Sequence, residues 1–107
     1  MIITTDDESL LELYSSGKTS DKKYKSLPTS AIKGYIKAVK RMKAADRIED
    51  LFQYVGLHYE ALHGDREGQE SVRCDIKWRL IFHSFPEEGS IIINSIELLE
   101  ISKHYEH

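Results

Sequence analysis

The chain has 107 residues, 40% of them hydrophobic, which suits one globular domain over residues 1–107 and excludes a disordered protein. No apolar run approaches the roughly 18 residues of a membrane span, and the only cysteine, Cys74, cannot form an intrachain disulfide. The formal net charge is −3, but residues 18–47 hold ten basic and two acidic residues, a net of +8 that leaves −11 for the remainder. The start, MIITTDDESLLELY, is unlike a signal peptide, so we expect a cytoplasmic protein without a membrane partner.

The N-terminal segment is predicted to form a strand and then a helix. Residues 1–5, MIITT, are mostly β-branched and short, which is typical of a strand. Asp6 or Asp7 can cap a helix with a leucine-rich face, and Gly17 is predicted to end it.

A longer second helix is predicted after a polar linker, with Thr29 or Ser30 as its cap. Spacings of three and four place two sets of side chains on different faces. The apolar set is Ile32, Tyr35, Ile36, Val39 and Met42, and the basic set is Lys33, Lys37, Lys40 and Arg41. A basic face of this kind is either a solvated surface or the footprint of an anionic partner, and both interpretations stay open.

The C-terminal half is predicted to be a meander of strands. Residues 57–64 form a strand or an irregular edge, and SVRCD and KWRLIFHSF form strands around a turn near Ile76. Residues 90–98 read as a strongly β-branched strand, and Trp78 and the isoleucines of 91–96 are assigned to the core. Tyr54 is assigned to packing. Helices followed by strands indicate an α+β domain, with the helices on one face of a mainly antiparallel sheet.

Two arginines are predicted to oppose each other across the hairpin. With the turn centred on Ile76, Arg73 pairs with Arg79 on the face away from the helices, while Val72 and Leu80 face the core. Like charges in such a pair are unfavourable by up to about 1 kcal/mol, so an anionic partner is expected. That partner is either a phosphate or one of four carboxylates, and both options stay open. The carboxylates are Asp75, Glu60, Glu70 and Glu97.

Glu60, the arginine pair, His104 and Tyr105 together supply the groups that RNA cleavage by internal attack requires. A carboxylate can take the proton of a ribose 2′-OH, arginines can stabilise the charged phosphate, and a histidine can protonate the leaving 5′-oxygen. Each residue taken singly is more often a surface charge or a packing detail.

The stretch LHYEALHGDREGQESVRCDIKWRLIF and the terminal ISKHYE resemble the RelE/ParE toxin superfamily, in particular its HigB-like and YoeB-like branches. The resemblance implies a toxin of a type II toxin–antitoxin system with a RelE-like fold. It further implies a ribosome-dependent endoribonuclease that cuts mRNA in the A site, uses no cofactor or metal, and forms a hetero-oligomer with its antitoxin.

The resemblance also implies roles for individual residues. Glu60 falls on the general base, Arg79 on the arginine that stabilises the phosphate, and Arg73 on a second arginine that holds the RNA backbone. His104 is the implied general acid, and Tyr105 orients the nucleotide or stacks on a base. The residues expected to bind RNA are Arg73, His63, Lys33, Lys37, Lys40 and Arg41.

Three alternatives accompany this interpretation. One is a non-enzymatic toxin of ParE type that blocks DNA gyrase, although such members generally lack the acid–base set that Glu60 and His104 supply. Another is a domain that only binds an antitoxin, which the acidic overall charge favours. A metal site formed by histidines is the third, but their spacing does not match a closed zinc site. Those histidines are His58, His63, His104 and His107.

Overall fold

A computed structural model describes residues 1–103, in which two α-helices pack on one face of a five-stranded sheet. The sheet order is β1-β5-β4-β3-β2, with β1 parallel to β5 and the other pairs antiparallel. The predicted α+β class and mainly antiparallel sheet are therefore confirmed. The helices are α1 Glu8–Ser16 and α2 Thr29–Ala44, and the strands are β1 Ile2–Thr5, β2 Glu60–Ala61, β3 Glu70–Arg73, β4 Trp78–Pro86 and β5 Ile93–Lys103. Within residues 1–103, no helix combines the length and apolarity needed to cross a bilayer.

The two helices begin in different ways. At α1 the Asp7 carboxylate accepts the Ser9 N–H at 2.9 Å, and Gly17 ends the helix with φ 74°, as predicted. The predicted caps of α2 are wrong, because Pro28 occupies the cap position and makes no side-chain cap bond. The Ser30 hydroxyl instead donates to the Asp75 carboxylate at 2.9 Å.

The β3–β4 hairpin has the predicted register, with Arg73 opposite Arg79 and Val72 opposite Leu80. Asp75 closes its turn by accepting the N–H groups of Lys77 and Trp78 at 2.8 and 2.9 Å. Desolvation raises the pKa of Asp75, but the hydrogen bonds from Lys77, Ser30 and Trp78 outweigh it and hold the pKa below its usual value.

Helix α2 lies directly against this hairpin at Gly34. A Cβ at Gly34 would lie 1.7 Å from the Cys74 carbonyl oxygen, so only glycine allows the approach. Cys74 is buried beneath the helix, and burial, together with the nearby Asp75 charge, raises the pKa of its thiol to about 12. The hairpin and α2 are thus joined through backbone as well as side-chain packing.

The strand predicted over residues 90–98 begins later than expected. A turn occupies the preceding residues, in which the Ser90 N–H bonds the Glu87 carbonyl at 2.9 Å, and β5 starts only at Ile93. The assignment of Ile91 and Ile92 to the core is therefore wrong, since Ile91 is 97% exposed, whereas Ile96 is fully buried. Trp78 is half-buried and packs against the core, and residues 57–64 form an irregular edge that contains only the two-residue β2.

Candidate active site

Glu60 and Arg79 meet at the end of the sheet near the hairpin. Glu60 lies opposite Ser71 on β3, and its Oε2 is 3.8 Å from Nη2 of Arg79 on β4. Of the four carboxylates considered for the arginine pair, Glu60 is the one in ion-pair contact with it among residues 1–103. Asp75 instead closes the hairpin turn, and Glu70 bonds on the core side.

The Arg79 guanidinium is nearly buried and held at two edges. Its Nε donates to the Ser71 hydroxyl at 2.9 Å, and its Nη2 donates to the His58 carbonyl. The residue is 6% exposed. Burial lowers the pKa of Arg79, the Glu60 charge opposes this, and the Arg73 charge lowers it further. No residue between 1 and 103 accepts a hydrogen bond from Nη1, so that edge can serve an anionic ligand.

Glu60 is directed to this site by its neighbour, Tyr59. The Tyr59 ring packs 4.5 Å from Phe52 and 6.3 Å from Phe82 between centroids, and its hydroxyl donates to the buried Glu70 carboxylate at 2.5 Å. Burial and then the bond to Glu70 raise the pKa of Tyr59, which keeps the hydroxyl a donor. Because successive side chains alternate faces, anchoring Tyr59 in the core turns Glu60 toward Arg79. The Glu60 side chain remains 53% exposed, so it can reach a substrate.

A basic cleft of about 390 Å³ adjoins this pair. It lies between α2 and the two 3₁₀ turns Ile48–Gln53 and Val55–Leu57, and Arg73 forms part of its lining. Two predicted RNA-binding residues of α2, Lys37 and Arg41, line the same cleft. The structure therefore brings Arg73, Lys37 and Arg41 together in one cleft, and Arg73 is also the cross-strand neighbour of Arg79.

Other predicted residues lie apart from this group. Lys33 and Lys40 are exposed on α2 and do not line the cleft. His63 is exposed on the turn Gly64–Arg66, where its Nδ1 lies 3.4 Å from the Glu67 carboxylate. His104 and Tyr105, the predicted acid and stacking residue, lie outside the described residues.

Sequence reasoning missed two residues of this region. Tyr54, assigned to packing, is 40% exposed at the cleft, with the Arg41 guanidinium 4.0 Å from its ring centroid. A tyrosine ten residues after the end of a basic helix was a usable signal, because aromatic and basic residues together mark nucleic-acid surfaces. His58 adopts a left-handed backbone, φ 46°, unusual outside glycine. No pattern in the sequence predicts that its carbonyl meets Arg79.

The arrangement has the elements of phosphoryl transfer to an internal hydroxyl. A half-exposed carboxylate can act as a base, a buried guanidinium fixed by other bonds can stabilise charge that develops on a phosphate, and a basic cleft can hold the adjoining chain.

Comparisons with known proteins find one matching family and a solved structure of similar fold. Residues 5–98 match the family described as the RelE-like toxin of type II toxin–antitoxin system HigB. Among solved structures, a YoeB/ParE toxin from Agrobacterium tumefaciens is similar in fold, with a TM-score of 0.58 and 17% sequence identity over 98% of this chain and 100% of that chain. No curated protein sequence matches the chain.

Proposed function

Because the chain belongs to the HigB-like family, the RelE-like toxins of type II toxin–antitoxin systems, we propose that it is an endoribonuclease that cuts mRNA in the ribosomal A site. The observation that carries the proposal is the contact between the accessible Glu60 carboxylate and the buried, hydrogen-bonded Arg79 guanidinium. A base and a phosphate-stabilising cation are thereby adjacent, which a protein that acts only by binding does not require.

The proposed reaction transfers a phosphoryl group within the RNA. Glu60 takes the proton of a ribose 2′-OH, and the 2′-oxygen forms a bond to the adjacent phosphorus. The bond from phosphorus to the 5′-oxygen breaks, and His104 gives that oxygen a proton. The products are a 2′,3′-cyclic phosphate and a 5′-hydroxyl, without oxidant, reductant or metal.

Arginine side chains supply the electrostatic part of the proposed mechanism. Arg79 presents its Nη1 edge to the phosphate, where its charge stabilises the transition state at little reorganisation because the guanidinium is already fixed. Arg73 holds the neighbouring backbone, and the exposed lysines of α2 contact ribosomal RNA through salt-sensitive phosphate contacts. Tyr105 stacks on a base.

The cognate antitoxin is the second proposed partner. The toxins of this family partner with an antitoxin, and we infer that an acidic antitoxin segment places its carboxylates against the Arg73–Arg79 pair in the cytoplasm. The arginine pair would then exchange one set of anions, antitoxin carboxylates, for another, RNA phosphates.

The test uses purified protein, a programmed ribosome complex and labelled mRNA. Primer extension maps the 5′ ends, and the upstream fragment is examined for a 2′,3′-cyclic phosphate, with His104→Ala as the comparison. We expect cleavage in the A-site codon and a loss of at least about a hundredfold in the variant. Intact mRNA with folded wild-type protein would exclude the reaction, and inhibition of DNA gyrase would then be measured.

A further inference from the structure

The basic cleft is lined by both cationic and aromatic side chains, and a single nucleotide can contact both. Lys37 and Arg73 supply cations, and Tyr54 supplies an exposed aromatic ring. The volume of about 390 Å³ falls in the range of small-ligand sites, roughly 300–1,000 Å³. A patch that only screened phosphate charge would need the cations and not the ring.

Arg41 and Tyr54 contact each other in the lining of this cleft and are called the Arg41–Tyr54 platform. The guanidinium carbon lies over the ring, 4.0 Å from its centroid, which is a cation–π distance. Unpaired RNA bases stack on both aromatic rings and guanidinium planes. The two residues come from different segments, since Arg41 belongs to α2 and Tyr54 links the two 3₁₀ turns.

Two residues of the cleft lining are immediate neighbours of residues at the Glu60–Arg79 contact. Arg73 lines the cleft and is the cross-strand neighbour of Arg79. Leu57, also in the lining, precedes His58, whose carbonyl accepts a hydrogen bond from Arg79. An RNA chain whose phosphate sits at Arg79 can therefore place a neighbouring nucleotide in the cleft.

We propose that this cleft is a binding subsite for one unpaired nucleotide of the substrate RNA, with its base stacked on the Arg41–Tyr54 platform and its phosphate held by Lys37 and Arg73. The inference rests on the proposed function, since it takes RNA as the substrate. It adds Tyr54 as a positioning residue, distinct from the implied stacking role of Tyr105. An acidic peptide is the less favoured occupant, because its carboxylates would pair with the cations but would not stack on the Arg41–Tyr54 platform.

The test measures binding without ribosomes and without cleavage. A single-stranded 2′-O-methyl RNA, which has no 2′-OH to attack, carries one 2-aminopurine among uridines and is titrated with the full-length protein at about 50 mM salt. Stacking quenches 2-aminopurine fluorescence. We expect quenching on binding, about tenfold weaker binding and no quenching with Tyr54→Leu, and near wild-type behaviour with Tyr54→Phe, which keeps the ring.

A matched control lies elsewhere on the surface. Tyr14 also carries a cation over its ring, with Lys43 Nζ 4.3 Å from the centroid, but it does not line the cleft. Tyr14→Leu should bind and quench like the wild type, and thermal unfolding verifies the fold of each variant. Wild-type binding by Tyr54→Leu would overturn the subsite, as would equal competition by an abasic RNA or by an oligoglutamate peptide, or no quenching with the wild type.

Different results would contradict the proposed mRNA cleavage and the proposed nucleotide subsite. If 2-aminopurine is quenched through Tyr54 while the ribosome assay shows intact mRNA, the subsite stands and the cleavage reaction does not. If mRNA is cut in the A site but Tyr54→Leu changes neither quenching nor affinity, the reaction stands and the subsite is wrong.

Discussion

The candidate site has two walls built in different ways. The hairpin wall, residues 70–82, is regular structure whose inward side chains are fully buried, including Val72, Leu80 and Phe82. The turn wall, residues 48–66, is a series of 3₁₀ turns around the two-residue β2, and it exposes Tyr54 and much of Glu60. The hairpin wall supplies Arg73 and Arg79, and the turn wall supplies Glu60, the proposed base, and Tyr54, the proposed stacking ring.

Contacts from the regular hairpin wall hold the irregular turn wall in position. Arg79 reaches across to the His58 carbonyl and to Glu60, and Glu70 accepts the hydroxyl of Tyr59. Both contacts run from a strand to the turn segment. The proposed base is therefore oriented by contacts from the hairpin wall more than by its own backbone. Substitutions in the two walls should separate effects on activity from effects on stability.

The largest effect is expected where the walls touch, at Arg79. Arg79→Lys keeps the charge, but one ammonium on a flexible stem cannot bond Ser71, His58 and a phosphate in the directions that the guanidinium uses. We expect A-site cleavage to slow by about 10³-fold and the melting temperature to fall by several degrees. Arg73→Lys is the matched control, because the Arg73 residue is half-buried and its side chain forms no hydrogen bond or salt bridge with residues 1–103, and it should lose about tenfold. Equal losses in the two variants would contradict the positioning role of Arg79.

The second prediction concerns Glu60 in the turn wall, whose substitution should lower activity with little change in stability. Glu60→Gln keeps the side-chain shape but removes the basic carboxylate, so cleavage should slow by at least about a hundredfold. Its half-exposed ion pair contributes at most about 1 kcal/mol to the free energy of unfolding. Single-turnover cleavage and urea unfolding are measured on the same preparation. Glu67→Gln, an exposed carboxylate near His63, is the control and should change neither quantity. A Glu60 variant that cuts at the wild-type rate would remove it as the base.

The hairpin wall could be predicted from sequence and the turn wall could not. The register of Arg73 opposite Arg79 follows from alternation around one short turn, which is a local rule, and the structure has it. The position of Glu60 depends on the contact of Tyr59 with Glu70 and on that of Arg79 with the His58 carbonyl. These tertiary contacts join residues 11 and 21 positions apart, so no local pattern encodes them.

Two predictions made from residue propensity, the start of β5 and the cap of α2, are wrong. Ile91 and Ile92 are β-branched and were expected inside, but the turn before them takes up the residues that would have extended β5. At α2 the cap position falls on Pro28, before the predicted Thr29 or Ser30, and no side chain caps the helix. Both errors lie at the end of an element, where a boundary shifts by one or two residues more easily than in its middle.

A third substitution tests the stability of the hairpin wall against that of the turn wall. Gly34→Ala places a methyl group against the Cys74 carbonyl oxygen, so α2 and the hairpin must separate, which costs about 1–3 kcal/mol of unfolding free energy. Gly56→Ala is the matched control in the turn wall, since a Cβ there has no atom within 4 Å. Urea unfolding should show a lower midpoint for Gly34→Ala and a change within about 0.5 kcal/mol for Gly56→Ala. Similar midpoints for both variants would show that the close approach is not needed.

The smallest expected effect is a loss of stability at alkaline pH that reports on the same packing. Burial raises the pKa of Cys74 to about 12 in the folded state, whereas a thiol in the unfolded chain has a pKa of about 8.5. The stabilisation is therefore complete below pH about 8.5 and is lost as pH rises toward 12, because only the unfolded thiol ionises readily. Between pH about 7.5 and 9.5 the unfolding free energy should fall by about 1 kcal/mol. Cys74→Ala should remove most of this drop whatever its own stability at neutral pH, the remainder coming from tyrosines such as Tyr59 whose pKa burial also raises. Equal drops in the two proteins would show that the thiol is not sealed beneath α2.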